Sequence, residues 1–441
     1  MKRFPPFMVA SPMRSPAIEA HVRSYYAASA PLPPPGAPLA GDLDCDVCVV
    51  GGGLTGLTAA LELAERGFDV ALLEANRVGW GASGRSGGQL IFGYACEMSA
   101  LAALTSPADA RLLFDWSVEA IGRIRERIAR HAIDCDWRDG QLHVAIKPRQ
   151  LAELRHLRDL LEGHYGYTGL ELLDRAALGR HIESPHYVGG LFDPRGAHLH
   201  PLKYTLGIAA AARAAGVRIF EQSRALRLVR GPAPEVHVAR GRVRARHVVL
   251  AGNAWLGRLV PELERKIMPV GTYIVASAPL GAALARRCLP TDAAVTDINF
   301  VLDYFRLSAD HRMLFGGRVS YSRIQPPNLA GSMCRRMQRV FPQLADVPIE
   351  YAWGGYVDIT MNRAPHFGRL EPAIHFAQGF SGHGMAATGL AGSVIAAAIA
   401  GDPRRLDLFA RIPHRDFPGG PWLRTPSLVL AMAWYRLRDL L

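Results

Sequence analysis

An α/β unit on a parallel sheet, with further sheet-forming segments between its two glycine turns, is the fold class this sequence predicts. Three observations predict it. The segment "DVCVVGGGLTGLTAALELAERGFDVALLEA" places an apolar run, a glycine turn, a helical repeat and a second apolar run in succession, which reads as strand, turn, helix and parallel strand. A second strand–glycine–helix pattern, "AIHFAQGFSGHGMAATGLAGSVIAAAIAG", stands more than three hundred residues later. Between the two, "TYIVASAPL", "VLDYFRLS" and "RMLFGGRVS" carry the β-branched and aromatic residues of sheet.

Bulk properties narrow the function. At 441 residues and 49% hydrophobic content, the chain is long enough for two cores. The formal net charge is +12, but the arginines are scattered and only Lys2, Lys147, Lys203 and Lys266 are lysines. No basic block with interleaved aromatics marks a nucleic-acid face, so no nucleic-acid partner is expected. Residues 1–42 read as a proline-rich N-terminal extension without the apolar core of a secretory signal, and Met8 and Met13 offer alternative starts. The apolar stretch "SLVLAMAW" is shorter than the ~20 residues a membrane span needs. A cytoplasmic protein without a transmembrane span is expected. Cys45 and Cys48, three apart on a strand, point to opposite faces and suit neither a disulfide nor a metal.

The first glycine turn has the spacing of a dinucleotide site. Gly51 allows the tight turn, Gly53 lets backbone amides approach a pyrophosphate, and Gly56 lets the helix pack on the strand with its positive end toward the phosphates. Leu54, Leu57, Leu61 and Ala64 repeat at helical spacing, and Gly67 stops the helix. Glu74, 18 residues after Gly56, ends the second strand, where a carboxylate accepts the hydroxyls of an adenosine ribose. Candidate nucleotide contacts are Gly51, Gly53, Leu54, Thr55, Gly56, Glu74 and Ala75. NAD and FAD both fit at this point.

The next segment separates them. "RVGWGASGRSGGQL", Arg77 to Leu90, puts five glycines and two serines directly after the acid, where a plain nicotinamide domain starts another helix. Backbone of this kind runs along a pyrophosphate and ribityl chain. Its candidate contacts are Gly81, Ala82, Ser83, Arg85, Ser86, Gly87, Gly88 and Gln89, with Arg85 placed either to neutralise phosphate or to approach a flavin ring.

The late turn lacks the GxGxxG spacing and the following acid, so it is a poor second dinucleotide site. Its helix start carries partial positive charge, which suits the electron-rich edge of a reduced flavin. Gly379, Ser381, Gly382, His383, Gly384 and Met385 are its candidates, His383 being either a flavin or pocket contact or a cap. One FAD held at both ends explains two glycine turns and a single fingerprint. His198 and His200 read as strand-end and cap residues, and no metal site is expected.

With these residues named, the chain resembles the D-amino-acid-oxidase-like superfamily of FAD-dependent amine oxidoreductases, and within it the bacterial gamma-glutamylputrescine oxidases. The similar segments are "SYYAASA", "CVVGGGLTGLTAALELAERG", "WGASGRSGGQL", "VVLAGNAW", "LDYFRLSADHRMLFGG", "YAWGGYVDITMNRAPHFGRL" and "QGFSGHGMAATGLAG", in that order. The resemblance implies a Rossmann-like FAD-binding domain of residues 43–95, 190–260 and 350–408. Interleaved with it is an antiparallel-sheet substrate domain of 96–189 and 261–349, in the D-amino-acid oxidase and sarcosine oxidase manner. Residues 409–441 follow as a C-terminal tail helix. Ala225 falls where the family's adenine-contacting backbone passes, and Gly252 ends a returning strand.

Departures from the family refine the substrate. Related sarcosine oxidases carry a lysine just after the GHG turn for the carboxylate beside the amine; here Met385 and Ala386 follow. A long amine with its carboxylate at the far end, such as gamma-glutamylputrescine, fits better than sarcosine or a D-amino acid. The cysteine or histidine that tethers flavin in some relatives is missing from "WGGYVDIT" and "ASGRSGG", so noncovalent FAD is expected. The implied reaction is hydride loss from the carbon next to a neutral amine, with O2 as acceptor. His383 and Arg85 are candidates at the flavin face; Tyr304, Trp353 and Tyr356 are candidates for an aromatic pocket or for plain core packing. A dehydrogenase serving a quinone or carrier is the rival within the class, and a basic nucleic-acid-associated flavoprotein the rival outside it.

Overall fold

Apolar runs without alternation need cover on both faces, and Val47–Val50 and Val70–Leu73 are buried throughout. In the computed structural model, which describes residues 20–299, 301–320 and 328–418, these runs are the middle of the first sheet. Its order is β16 (His366–Glu371), β17 (Ile374–Gln378), β10 (Gly241–Leu250), β1 (Leu43–Val50), β2 (Val70–Leu73) and β7 (Arg218–Phe220). Strands β9 (Glu235–Val238) and β8 (Arg227–Val229) extend from β10. Strands β17, β10, β1, β2 and β7 are mutually parallel.

The helix Leu54–Ala64 leaves the first glycine turn, and the late helix Gly384–Ile399 crosses it. At the crossing a Cβ on Gly392 would stand 2.6 Å from the Thr55 carbonyl oxygen and 2.7 Å from Thr58 Cβ. Small residues let this second helix sit between the nucleotide helix and the long helix Pro107–Arg130, in one shared core. Among the described residues no single helix is long and apolar enough to cross a membrane.

The second sheet runs β15 (Ile349–Ile359), β11 (Met268–Ser277), β14 (Met313–Ser320), β13 (Tyr304–Leu307), β12 (Ala294–Asp297), β4 (Arg138–Ala145), β6 (Gly189–His198) and β3 (Gln89–Leu90). Strand β5 (Glu171–Asp174) pairs with β6. It is antiparallel except where β12 meets β4. One face buries Phe305 and Phe315 against Met333, Met337 and Phe341; the other meets the loops of the first sheet.

Pairing and packing move four of the expected assignments. β6 and β15 belong to the second sheet, although the expected nucleotide-binding segments begin at 190 and 350. They are the strands on which the chain passes between the two halves, and their side chains Leu191 and Trp353 are buried in clusters formed with the second sheet. The helix Pro107–Arg130, expected in the substrate domain, packs Leu113, Ile121 and Ile124 into the core of the first half. Residues 20–42 are not a loose extension. Ser24 caps the helix Tyr25–Ser29, and Tyr25 and Tyr26 are 4% and 0% exposed, because no proline stands between Pro16 and Pro31. Of the tail helix expected over 409–441, Phe409 and Ala410 instead end the helix Arg404–Ala410, and residues 419–441 lie outside the described residues.

Candidate active site

The nucleotide end is built at the tips of β1, β2 and β10. Gly51 holds φ at +115°, and a Cβ there would stand 2.6 Å from the Ala251 carbonyl oxygen, just before Gly252. A Cβ on Gly56 would overlap the Gly51 carbonyl, so strand end and helix start touch backbone to backbone. The Leu54 and Thr55 side chains are buried, and the Thr55 amide is left for a phosphate. Ser83 of the following loop accepts the Leu54 N–H at 2.9 Å and lies against Gly53.

Glu74 accepts the Gly52 N–H at 2.7 Å on one oxygen and the Asn76 N–H at 2.8 Å on the other. Burial pushes its pKa up, and these two hydrogen bonds oppose the rise. Each oxygen retains acceptor capacity for a ribose hydroxyl. The half-buried Ala75 follows. The Ser223 N–H donates to the Glu74 carbonyl at 2.8 Å, which brings the stretch up to Ala225 alongside.

Glu221, not singled out from the sequence, is the buried tie of this end. It accepts the Val78 N–H at 2.7 Å, Arg77 Nε at 3.0 Å and the Gly36 N–H at 2.5 Å. Arg77 also donates to the Pro33 carbonyl at 2.6 Å. The proline-rich strap is thereby fastened over the loop after β2.

From there the loop turns onto the second sheet. Gly81, Ala82 and Ser83 lead into a short 3-10 turn. Arg85 donates to the Trp80 carbonyl at 2.7 Å, lies 4.2 Å from the Trp80 ring centre and reaches the Gly354 carbonyl at 3.4 Å. Arg306, 3% exposed, donates to the carbonyls of Gly87 at 2.7 Å and Leu199 at 2.9 Å and to the Tyr26 hydroxyl at 3.1 Å. The Gly88 carbonyl accepts the Leu199 N–H at 2.9 Å. The Gln89 side chain is spent on the second sheet: its Nε2 donates to the Val295 carbonyl at 3.1 Å, and its Oε1 accepts from the Thr296 hydroxyl at 2.7 Å.

The late turn is held by Asp358, also missed from the sequence. This carboxylate is 1% exposed, accepts the Gly379 N–H and is pushed up to about 7 by burial against the pull of its hydrogen bonds. The Asp358 carbonyl accepts the Ser381 N–H at 2.9 Å. Gly379, Ser381 and Gly382 take positive φ of 79°, 52° and 93°. His383 precedes Gly384 at the helix start without a side-chain capping bond. Burial, His143 and Arg363 lower its pKa to about 4. One residue into the helix, the Met385 sulfur accepts from the Ser86 hydroxyl at 3.0 Å, so the two glycine turns meet.

Facing this join is one transverse row of the second sheet. Register carries it through Leu191, His143, Thr296, Tyr304, Gly316, Ile274 and Trp353. Paired residues in a sheet share a face. Tyr304 lies against Gly87, where a Cβ would stand 2.7 Å from its ring, and burial raises its pKa. His143 is half-buried, and among the described residues its ring makes no hydrogen bond.

Thus the structure sets Tyr304 and His143 on one row with His383 near enough to His143 for their charges to interact, and the space between them is the candidate chamber; Tyr304 also packs against the cluster that holds Trp353. Trp353 is not a pocket wall. It is 1% exposed, donates from Nε1 to the Arg85 carbonyl at 3.0 Å and packs 5.1 Å from the Tyr26 ring, because the N-terminal strap covers its end of the row. Tyr356 packs on Trp255 at 5.5 Å, and Trp255 on Trp80 at 4.9 Å, a second aromatic group apart from Tyr304. The signal for His143 was available in "GQLHVA", where Gln141 and His143 alternate with Leu142 and Val144. Polar residues on the inner face of a strand mark a site as readily as a surface. His200 caps its helix by accepting the Lys203 N–H at 3.1 Å, and His198 lies within 2.7 Å of the Asp292 carbonyl. An open cleft of about 550 Å³, lined by Arg175, Leu178, Ile182 and Pro342, contains none of these groups.

The pattern of the family described as FAD dependent oxidoreductase matches residues 46–398. The chain belongs to the FAD dependent oxidoreductase family. This FAD dependent oxidoreductase is 44% identical over 420 residues to gamma-glutamylputrescine oxidoreductase of Escherichia coli, covering 95% of this chain and 98% of that one. It is 41% identical to the probable oxidoreductase OrdL of Haemophilus influenzae, over 96% and 98% of the two chains. Its fold is similar to glycine oxidase of Geobacillus kaustophilus, with a TM-score of 0.70 at 21% identity over 85% of this chain and all of that one. The glycine turn tight against Ala251, the half-buried Glu74 and the join at Ser86 and Met385 fit the family's cofactor. Adenosine diphosphate suits the first turn and the isoalloxazine the second.

Proposed function

We propose that this FAD dependent oxidoreductase oxidises the amine of gamma-glutamylputrescine, or of a similar polyamine conjugate, to an imine that water converts to an aldehyde. The single observation that carries this reading is the 44% identity over nearly the whole chain to gamma-glutamylputrescine oxidoreductase. The chemistry of the chamber supports it. The late helix starts with Met385 and Ala386, 8% and 5% exposed, rather than with a cation. A carboxylate beside the reacting carbon would lose several kcal/mol if buried there unpaired, on the order of the cost of any unpaired buried charge. A carboxylate at the far end of a long amine avoids that cost.

FAD, when bound, supplies the acceptor for a hydride from the carbon that bears the amine. Glu74 and the first turn hold its nucleotide half, and no cysteine or histidine in 79–90 or 349–359 is available for a covalent tether, so it is held noncovalently. Tyr304 and the Gly87 backbone confine the substrate. His383, kept uncharged by burial, favours the neutral amine, the form that can react. O2 is the proposed electron acceptor and H2O2 the second product, in a cytoplasmic setting. A carrier-linked dehydrogenase is the second reading, favoured by 25% identity over 370 residues to D-amino acid dehydrogenase 2 of Pseudomonas aeruginosa.

The test is anaerobic bleaching of the bound flavin by gamma-glutamylputrescine, putrescine, sarcosine and D-alanine, followed by admission of air. Gamma-glutamylputrescine is expected to bleach fastest, with rapid reoxidation and one peroxide per turnover. Faster bleaching by sarcosine overturns the substrate, and slow reoxidation overturns the acceptor.

A further inference from the structure

An alkyl ammonium has a pKa of about 10, so at neutral pH the substrate arrives charged. Hydride leaves carbon only when the nitrogen lone pair is free, and the extra proton therefore has to go to a group in the chamber or to water. The chamber-facing row holds two side chains with ionisable protons, Tyr304 and His143, with His383 opposite. The Tyr304 phenol already carries its proton and is held to it by burial.

The two imidazoles have different surroundings. His383 feels Arg363 from the turn after β15 and His143 across the chamber, and both would repel its cation. His143 has Asp193 diagonal to it on β6, on the same face of the sheet, a carboxylate 1% exposed whose oxygens accept from the Tyr167 hydroxyl at 2.7 Å and the Arg195 N–H at 3.0 Å. Burial lowers the His143 pKa and the Asp193 charge raises it. Its neighbours on the row and strand, Thr296 and Gln141, are uncharged and bonded to each other at 3.2 Å. The ring is thus an interior base, open to the chamber, unbonded among the described residues, and backed by the one buried anion that acts on it.

Resting on the reading of the chain as an amine oxidase, we propose that His143 accepts the proton that the substrate ammonium gives up on entering the chamber. The N–H bond of the ammonium breaks, its electron pair stays on the amine nitrogen, and the proton bonds to the imidazole. The imidazolium sits beside Asp193 until product leaves and water takes the proton. His383 stays neutral throughout.

The test uses the holoenzyme and the rate of anaerobic flavin reduction by gamma-glutamylputrescine from pH 6 to 10. In His143→Gln, flavin content and melting temperature are expected to stay as in the parent. Reduction at pH 7 falls by about 100-fold, the range of a lost acid–base group, and recovers as the pH approaches the pKa of the amine. His143→Ala regains rate with added imidazole. The affinity of a non-oxidisable amine, read from the flavin spectrum, shifts along the parent's acid limb. An unmoved acid limb in His143→Gln, or a loss equal at every pH and unrescued by imidazole, overturns the proposal. If no amine reduces the parent at any pH, the amine oxidase reading itself has failed.

Discussion

The Ser86 hydroxyl donates to the Met385 sulfur across 3.0 Å, joining two glycine turns whose residues are 299 positions apart. A hydroxyl–thioether contact is weak, so Ser86→Ala is expected to cost no more than about 1 kcal/mol. Met385 is 8% exposed, and Met385→Ala opens space at the helix start at a cost of about 2–5 kcal/mol. Thermal unfolding of the two holoenzymes separates the cases: a melting drop confined to Met385→Ala is the expected result.

Gly51→Ala should abolish stable cofactor retention. The residue needs φ of +115° and has the Ala251 carbonyl 2.6 Å from where a methyl would stand, so the turn has to open. The flavin-to-protein absorbance ratio after purification checks it. A yellow Gly51→Ala protein at full occupancy contradicts the nucleotide site.

Releasing the N-terminal strap should require only Glu221. Glu221→Ala leaves the Arg77 guanidinium and the Val78 and Gly36 amides without their acceptor, a loss of about 3–5 kcal/mol when a buried pair is broken. New proteolytic cuts between Pro31 and Gly41 are the expected outcome under native conditions. Resistance equal to the parent's would show the strap is held elsewhere.

Asp358 gives a pH dependence with a definite sign. Burial holds its folded pKa at about 7, above the ordinary carboxyl value of 3.8. Between those values the folded form keeps a proton that the unfolded chain releases. Its contribution to stability is therefore full below about pH 4, falls as pH rises toward 7, and is constant beyond. Asp297, also raised to about 7, acts in the same direction. Asp358→Asn should flatten the decline in melting temperature from pH 5 to 7; a slope unchanged from the parent removes Asp358 as its source.

Tyr304 and Trp353 share a row but not a role. Tyr304→Phe should alter KM or the reduction rate for the amine with little change in stability. Trp353→Phe removes a hydrogen bond to the Arg85 carbonyl and should cost about 1–2 kcal/mol in folding, with KM unchanged. Steady-state kinetics beside denaturant melts tell them apart, and the reverse pattern would place Trp353 in the chamber.

Local signals were enough for the geometry of the first glycine turn. Gly51, Gly56 and Glu74 lie within one strand–turn–helix–strand unit, where spacing along the chain is nearly distance in space, and each takes up the position its spacing demands. The late turn was legible as a helix start for the same reason. Its clamp, Asp358, was not, because it reaches Gly379 from a different strand.

What the sequence by itself determined, then, is the fold class, the two glycine turns and the order in which strands and helices alternate. All are set by periodicity and by conformations that few residues adopt. Tertiary structure alone decided which aromatic faces the chamber, which polar side chains are spent on scaffolding, and that His143 stands on the row of Tyr304. Those are consequences of register between strands far apart in the chain. A shift of one residue would turn each side chain to the other face, and no local pattern records which register won.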